Sequence, residues 1–174
     1  TPDAQESRGL GDVYKRQVNM IEKKIIIQST LAGIFSIITI GVLTVLTYKT
    51  SYGIFLIASF GSTMVLLYGY PESPFAQPKN IILGHFLTAL IGIIFLNFVP
   101  LPIFLNIPLA VGFGVMFMIL LKVTHPPAGG NPIIVIIGSV SFDYLLTPVL
   151  IGSIIVVMFG VLINKFLFKK EYPK

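Results

Sequence analysis

Residues 25–47 read IIIQSTLAGIFSIITIGVLTVLT, uncharged from end to end and preceded by Lys23 and Lys24. A hydrocarbon core about 30 Å thick is crossed by roughly 20 apolar residues in a helix, so this stretch is a complete span. The same character continues down the chain. Between Ile25 and Asn164 the only charged side chains are Lys49, Glu72, Lys79, Lys122 and Asp143. Over all 174 residues 55% are hydrophobic and 11% charged, against about 25% charged in soluble domains; mean hydropathy is +0.91. So few polar groups cannot clothe a soluble surface. The fold class is all-α, a polytopic transmembrane helix bundle whose first partner is the lipid bilayer.

Length and punctuation divide the rest. Gly53–Gly69 is a shorter span, interrupted by Ser59, Gly61, Ser62 and Thr63. The proline-rich connection Pro71–Asn80 leads to a span over Ile81–Val99. Pro100, Pro102 and Pro108 mark a tight turn before Ile107–Val123, whose helix can start as early as Ile103. Residues 124–132, THPPAGGNP, break the chain again. A short apolar run, Ile133–Ser141, then precedes a last span over Leu145–Phe168, closed by Lys169 and Lys170. If residues 126–142 cross the membrane there are six spans, and every lysine from Lys23 onward that flanks a span, except Lys49, falls on one side. The positive-inside rule selects that arrangement, with both termini cytoplasmic; the Ile- and Lys-rich usage fits a bacterium, and the expected location is its inner membrane. A five-span bundle with one re-entrant loop is the alternative.

Six spans divide into two three-helix halves, 25–99 and 103–168, and an odd number per half inverts one half relative to the other. Each half holds a short broken element in the middle. Such pairs are the sequence pointer to a transport site at a repeat interface. Gly84, Thr88 and Gly92, like Ala110 and Gly114, recur at four-residue spacing and are expected to let helices approach closely. Residues 1–17, TPDAQESRGLGDVYKRQ, carry six of the nineteen Asp, Glu, Lys and Arg residues. They fit neither a signal nor a transit peptide. Residues 1–19 are read as a non-native or disordered leader, before Met20 and a transmembrane domain over 20–174.

The net charge of +5 sits at chain ends and connections, where cations anchor helices; no basic face with interleaved aromatics suggests nucleic acid. The absence of cysteine excludes disulfides and thiolate chemistry. Glu72 and Asp143 lack acidic partners, and no carboxylate stands at helical spacing from either histidine. No metal site, cofactor or enzyme activity is therefore expected.

The chemistry-bearing stretch is His125-Pro126-Pro127-Ala128-Gly129-Gly130-Asn131-Pro132. Its prolines forbid continuous helix, its glycines permit unusual backbone, and broken backbone at membrane depth survives only where protein or water satisfies it. A half-helix starting near Pro132 would turn free amides toward a small anion, with His125 as a further donor. The alternative is an interfacial turn in which His125 caps a helix. Gln77 and Lys79 are expected at the mouth of the same pathway; the alternative is structural, with Asn80 as an N-cap and Lys79 as a cytoplasmic anchor. His85, inside an apolar span, is a functional candidate by position, or else bonds to a neighbouring helix. Ser59, Ser62 and Thr63 line a polar lumen or bond back to their own helix.

Taken together, Ser59-Phe60-Gly61-Ser62-Thr63, Ser73-Pro74-Phe75-Ala76-Gln77-Pro78-Lys79-Asn80, Gly84-His85 and His125-Pro126-Pro127-Ala128-Gly129-Gly130 resemble the HPP family of membrane proteins, over roughly residues 23–168. Many relatives carry Arg at the position of Lys79 and Ala at that of Gly130. The resemblance implies a small prokaryotic or plastid membrane protein, with nitrite as the substrate associated with some members. The expected function is passage of a small anion along residues 59–63, His85 and 125–131, in a homo-oligomer. A non-transporting scaffold or regulatory partner is the rival.

Overall fold

The computed structural model describes residues 17–174, helical throughout most of their length and without a strand among them. Helix α1 (Pro2–Lys49) is described from Gln17 onward; the expected leader lies, up to residue 16, outside the described residues. Helix α2 (Ala58–Met64) runs on into a π-helical turn, Val65–Gly69. Helices α3 (Pro78–Phe98) and α4 (Ile103–Leu120) follow. Helix α5 (Asn131–Gly138) is preceded by a 3-10 turn, Pro126–Gly130. The last long segment, Phe142–Leu167, has helix α6 (Ile151–Val161) at its centre and looser turns at both ends.

Four of these segments are long and apolar enough to cross a membrane: Gln17–Lys49, Pro78–Phe98, Ile103–Leu120 and Phe142–Leu167. The chain is an integral membrane protein. Burial separates inner from outer helices: 44% of the apolar window is covered in α3 and in the last segment, against 11% in α1 and 22% in α4. Exposed Ile37, Phe104 and Ile119 mark the lipid-facing sides of the outer pair. Among the described residues these four long segments stand beside two short broken elements, 58–69 and 126–138, of about 20 Å each, in the two stretches where the sequence reading expected short elements.

Two details differ from the sequence reading. The second element is helical only from Ala58, because Gly53 takes a φ of +121° and the Phe55 amide donates to Thr47 Oγ1 at 3.0 Å, holding the lead-in in non-helical form. Pro108 lies inside α4 rather than in the turn before it. The helix starts at Ile103, so Pro108 is its sixth residue and leaves the Phe104 carbonyl without its regular amide donor.

Glycine spacing explains how the broken elements seat. A Cβ on Gly84 would come within 2.8 Å of His125 Cβ, and one on Gly92 within 2.9 Å of Pro132 Cα. The α3 stripe thus receives the 123–135 segment at a distance only glycine allows. On α6, a Cβ on Gly152 would lie 2.6 Å from the Phe55 carbonyl, and one on Gly160 would lie 2.5 Å from Leu67. In each half the long helix that follows the broken element therefore receives the other half's broken element through two glycines eight residues apart. Gly152 and Gly160 follow Gly84 and Gly92 by 68 residues. The same offset carries 58–69 onto 126–137, and Thr63 onto Asn131.

The π turn at 65–69 displaces backbone carbonyls from the regular ladder, and side chains of other helices meet them. Asn164 donates to Leu67 O at 2.9 Å, and Gln28 donates to Gly69 O at 3.1 Å. Tyr68 and Thr39 share a hydroxyl contact of 2.5 Å.

Candidate functional site

Where the two broken elements meet α3, six polar side chains pack into one buried cluster. Ser59 and Thr63 come from α2, His85 and Thr88 from α3, His125 from the start of the second break, and Asn131 from the first residue of α5. Ser59 is 6% exposed, Asn131 1%, and the other four 0%.

Thr63 Oγ1 is the hub. It lies 3.0 Å from His85 Nε2, 2.9 Å from His125 Nε2 and 3.2 Å from the Ser59 carbonyl one turn back. His125 Nδ1 donates to the Phe75 carbonyl at 2.7 Å, anchoring the ring to the connection between α2 and α3. Asn131 accepts from Ser59 Oγ at 2.7 Å. Its amide nitrogen lies 3.1 Å from His85 Nδ1, from the His85 carbonyl and from Thr88 Oγ1. The two imidazole rings meet edge-to-face at 4.9 Å, and Phe60 covers the other side of His85 at 5.0 Å.

Local sequence explains each placement. Ser59 and Thr63 are four residues apart on one face of a short helix. Gly84 leaves the gap into which His125 fits, and Thr88 sits one turn beyond His85. Asn80, expected as an N-cap, is instead three residues into α3 and donates to the Thr124 carbonyl at 2.9 Å, fixing the backbone beside His125. The helix starts earlier, after Gln77, because Pro78 is suited to a first helical turn.

The sequence continuing from His125 through Pro126 and Pro127 into α5 thus sits on a second histidine and the Ser59–Thr63 turn. A family model for the HPP transmembrane region matches residues 19–173. The chain belongs to the HPP transmembrane family. Two transmembrane proteins of Dictyostelium discoideum are similar to it. One is 34% identical over 125 residues, covering 68% of this chain and 44% of its own length. The other is 34% identical over 148 residues, covering 79% and 48%. The chain spans about half the length of these curated relatives. No solved structure matches it.

Within this HPP protein the remaining candidates fall elsewhere. Ser62 is exposed and takes no part in the cluster; on the far side of α2, Gly61 and Val65 face α1 across a groove of about 670 Å³ that Ser62 does not line. Gln77 clamps its own loop, donating to Pro71 O and Ser73 O at 3.0 Å each and accepting from the Lys174 amide at 2.8 Å. Lys79 is exposed at the start of α3. Pro126 is exposed and Pro127 partly so. Neither Gly129 nor Gly130 takes a positive φ, and a Cβ on either would meet nothing within 4 Å. The break therefore owes its shape to the prolines, and the glycines leave open space beside it. Thr88, which the sequence offered only as part of a packing stripe, joins the cluster by its hydroxyl; its i+3 position from His85 was the available signal.

Proposed function

We propose that this chain passes a small anion across a prokaryotic membrane, with nitrite, which the family resemblance implies, as the first candidate. The observation that carries the reading is the polar cluster itself: one broken element supplies Ser59 and Thr63, the other His125 and Asn131, and they meet on His85. Discontinuous elements converging on polar groups are the usual form of a transporter site. Ionisable side chains buried among membrane helices ordinarily serve such a site. The cluster holds N–H and O–H donors and no carboxylate, which suits an anion. Those donors are now satisfied by one another, so ligand entry requires the broken elements to part, and the open space beside Gly129 and Gly130 gives backbone amides room to contribute. No carboxylate orients either imidazole, so the contact between Thr63 and His125 is read as a binding array rather than as a nucleophile and its base.

On this proposal the two halves are inverted, the termini are cytoplasmic, and Lys79 attracts anions at the inner mouth. Nitrite uptake into vesicles reconstituted with the protein tests it. The expected result is uptake that the combined His85→Ala and His125→Ala variant abolishes. Uptake unchanged in a correctly folded double variant defeats the site assignment. Absence of uptake by the folded wild type, together with a protein partner bound on the cytoplasmic side, establishes the scaffold reading instead.

A further inference from the structure

The hydrogen atoms of the cluster can be counted. His125 Nδ1 faces a carbonyl, the Phe75 oxygen at 2.7 Å, and must carry a hydrogen. In a neutral ring Nε2 then has only a lone pair, so the Thr63 hydroxyl 2.9 Å away donates to it. With its single hydrogen used, Thr63 accepts from His85, whose hydrogen is placed on Nε2. His85 Nδ1 is then bare and faces the Asn131 amide nitrogen at 3.1 Å, while the Asn131 oxygen accepts from Ser59. Every donor points the same way: Ser59 to Asn131 to His85 to Thr63 to His125 to Phe75. The two histidines are held as opposite tautomers.

We propose that His125 is a binding site for one proton, with the Thr63 hydroxyl as its switch and His85 held neutral, and that this proton travels with the anion. The role in transport rests on the anion reading above; the proton site does not. When a proton reaches His125 Nε2 it displaces the Thr63 hydrogen, which has a prepared acceptor in the Ser59 carbonyl at 3.2 Å. Thr63 Oγ1 then accepts from both imidazoles through its two lone pairs. One hydroxyl rotation accommodates the change, and no donor faces a donor. The same proton on His85 Nδ1 would confront the Asn131 amide. Turning that amide over would place its oxygen against the His85 carbonyl, 3.1 Å from the present nitrogen. The cluster is thus asymmetric between two chemically identical rings.

The surroundings leave His125 with no fixed countercharge. On α3, His85 lies against it and Lys79 is exposed. In the 71–77 connection, Glu72 is exposed and paired with Lys170 at 3.4 Å. Tyr172 contributes a hydroxyl that donates to the Ala76 carbonyl. Lys122, beyond α4, is exposed; the titratable side chain of 58–69 is Tyr68, whose hydroxyl pairs with Thr39, and 126–138 bears none. A charged ligand brought alone into such a site is heavily penalised by desolvation. An anion arriving with a proton on His125 pays less, since the attraction between the two charges offsets part of their desolvation.

Nitrogen-15 NMR of histidine-labelled full chain in bilayers, read against pH with and without nitrite, tests the assignment. The expected result is an Nδ1–H tautomer for His125 and an Nε2–H tautomer for His85 at high pH. His125 alone becomes doubly protonated as pH falls, and nitrite moves that transition to higher pH. Thr63→Ser retains the His125 transition, and Thr63→Val, which leaves a protonated Nε2 without an acceptor, moves it to lower pH while the opposed tautomers persist. In vesicles a nitrite gradient drives one proton inward per anion. His85 titrating first, both rings titrating together, or neither titrating with nitrite present would each overturn the proposal. Nitrite flux with no proton movement overturns the coupling and leaves the anion reading intact. Titration of His125 without any flux retains the proton site and removes the anion reading, and with it the coupling.

Discussion

Replacing Gly84 by Ala places a methyl group 2.8 Å from His125 Cβ and 3.0 Å from the Val123 carbonyl oxygen. Neither neighbour is the free end of a flexible side chain. Carbon atoms rest at about 3.5–4.0 Å, so α3 and the 123–128 segment must separate by about 1 Å. The 2.9 Å bond from Asn80 of α3 to the Thr124 carbonyl cannot absorb that and remain a hydrogen bond, since useful geometry ends near 3.2 Å. Overpacking costs about 1–3 kcal/mol and a lost interhelical hydrogen bond in a membrane about 0.6, while alanine in place of glycine returns up to about 1 kcal/mol in a helix. The net expectation is a loss of about 1–3 kcal/mol in reversible denaturant unfolding from mixed micelles. Gly129→Ala is the control: ordinary φ and open space predict a change within about 0.5 kcal/mol. If Gly84→Ala unfolds at the same denaturant concentration as Gly129→Ala, the close seating of the second broken element on α3 is refuted.

Asn164→Leu removes the donor that meets the displaced Leu67 carbonyl at 2.9 Å. Stability should fall by about 0.5–2 kcal/mol, and amide hydrogen exchange should accelerate across 65–69; unchanged exchange there would contradict the stated role. Glu72 has its carboxyl pKa lowered, first by its own backbone amide and then, against a partial opposing effect of burial, by Lys170 and Lys174. A folded-state pKa below the unfolded one contributes stability above the ordinary carboxylate range that is lost as pH falls through the folded value. Wild type should therefore exceed Glu72→Gln slightly near neutral pH, by well under 1 kcal/mol for so exposed a pair. The two melting curves should converge on acidification, and a difference that grows toward low pH would reverse the assigned sign.

Charge distribution made the membrane character legible, and the Pro/Gly breaks located both short elements, because those effects act residue by residue. His85 and His125 also stood out singly, as ionisable groups in apolar surroundings. Their meeting did not, since it depends on the rotation of two short helices with looser turns, and no periodicity in so few residues fixes that rotation. Ser62 and Thr63 are adjacent in sequence, yet one faces out and the other is the hub of the cluster. Gln77 and Lys79 were grouped with the pathway because they share its loop, whereas Gln77 is occupied by backbone partners and Lys79 projects outward. The glycine pairs were readable as packing stripes on their own helices. Which element each pair receives is a tertiary fact.

Nitrite uptake by vesicles carrying Thr63→Val, compared with Ser62→Ala in the same lipid and at matched protein density, tests the central claim most directly. Valine keeps the volume of threonine and removes the one oxygen that joins both imidazoles, while Ser62 is its outward-facing neighbour. The account predicts uptake reduced at least tenfold in Thr63→Val and close to wild type in Ser62→Ala. Equal uptake by the two variants would contradict it.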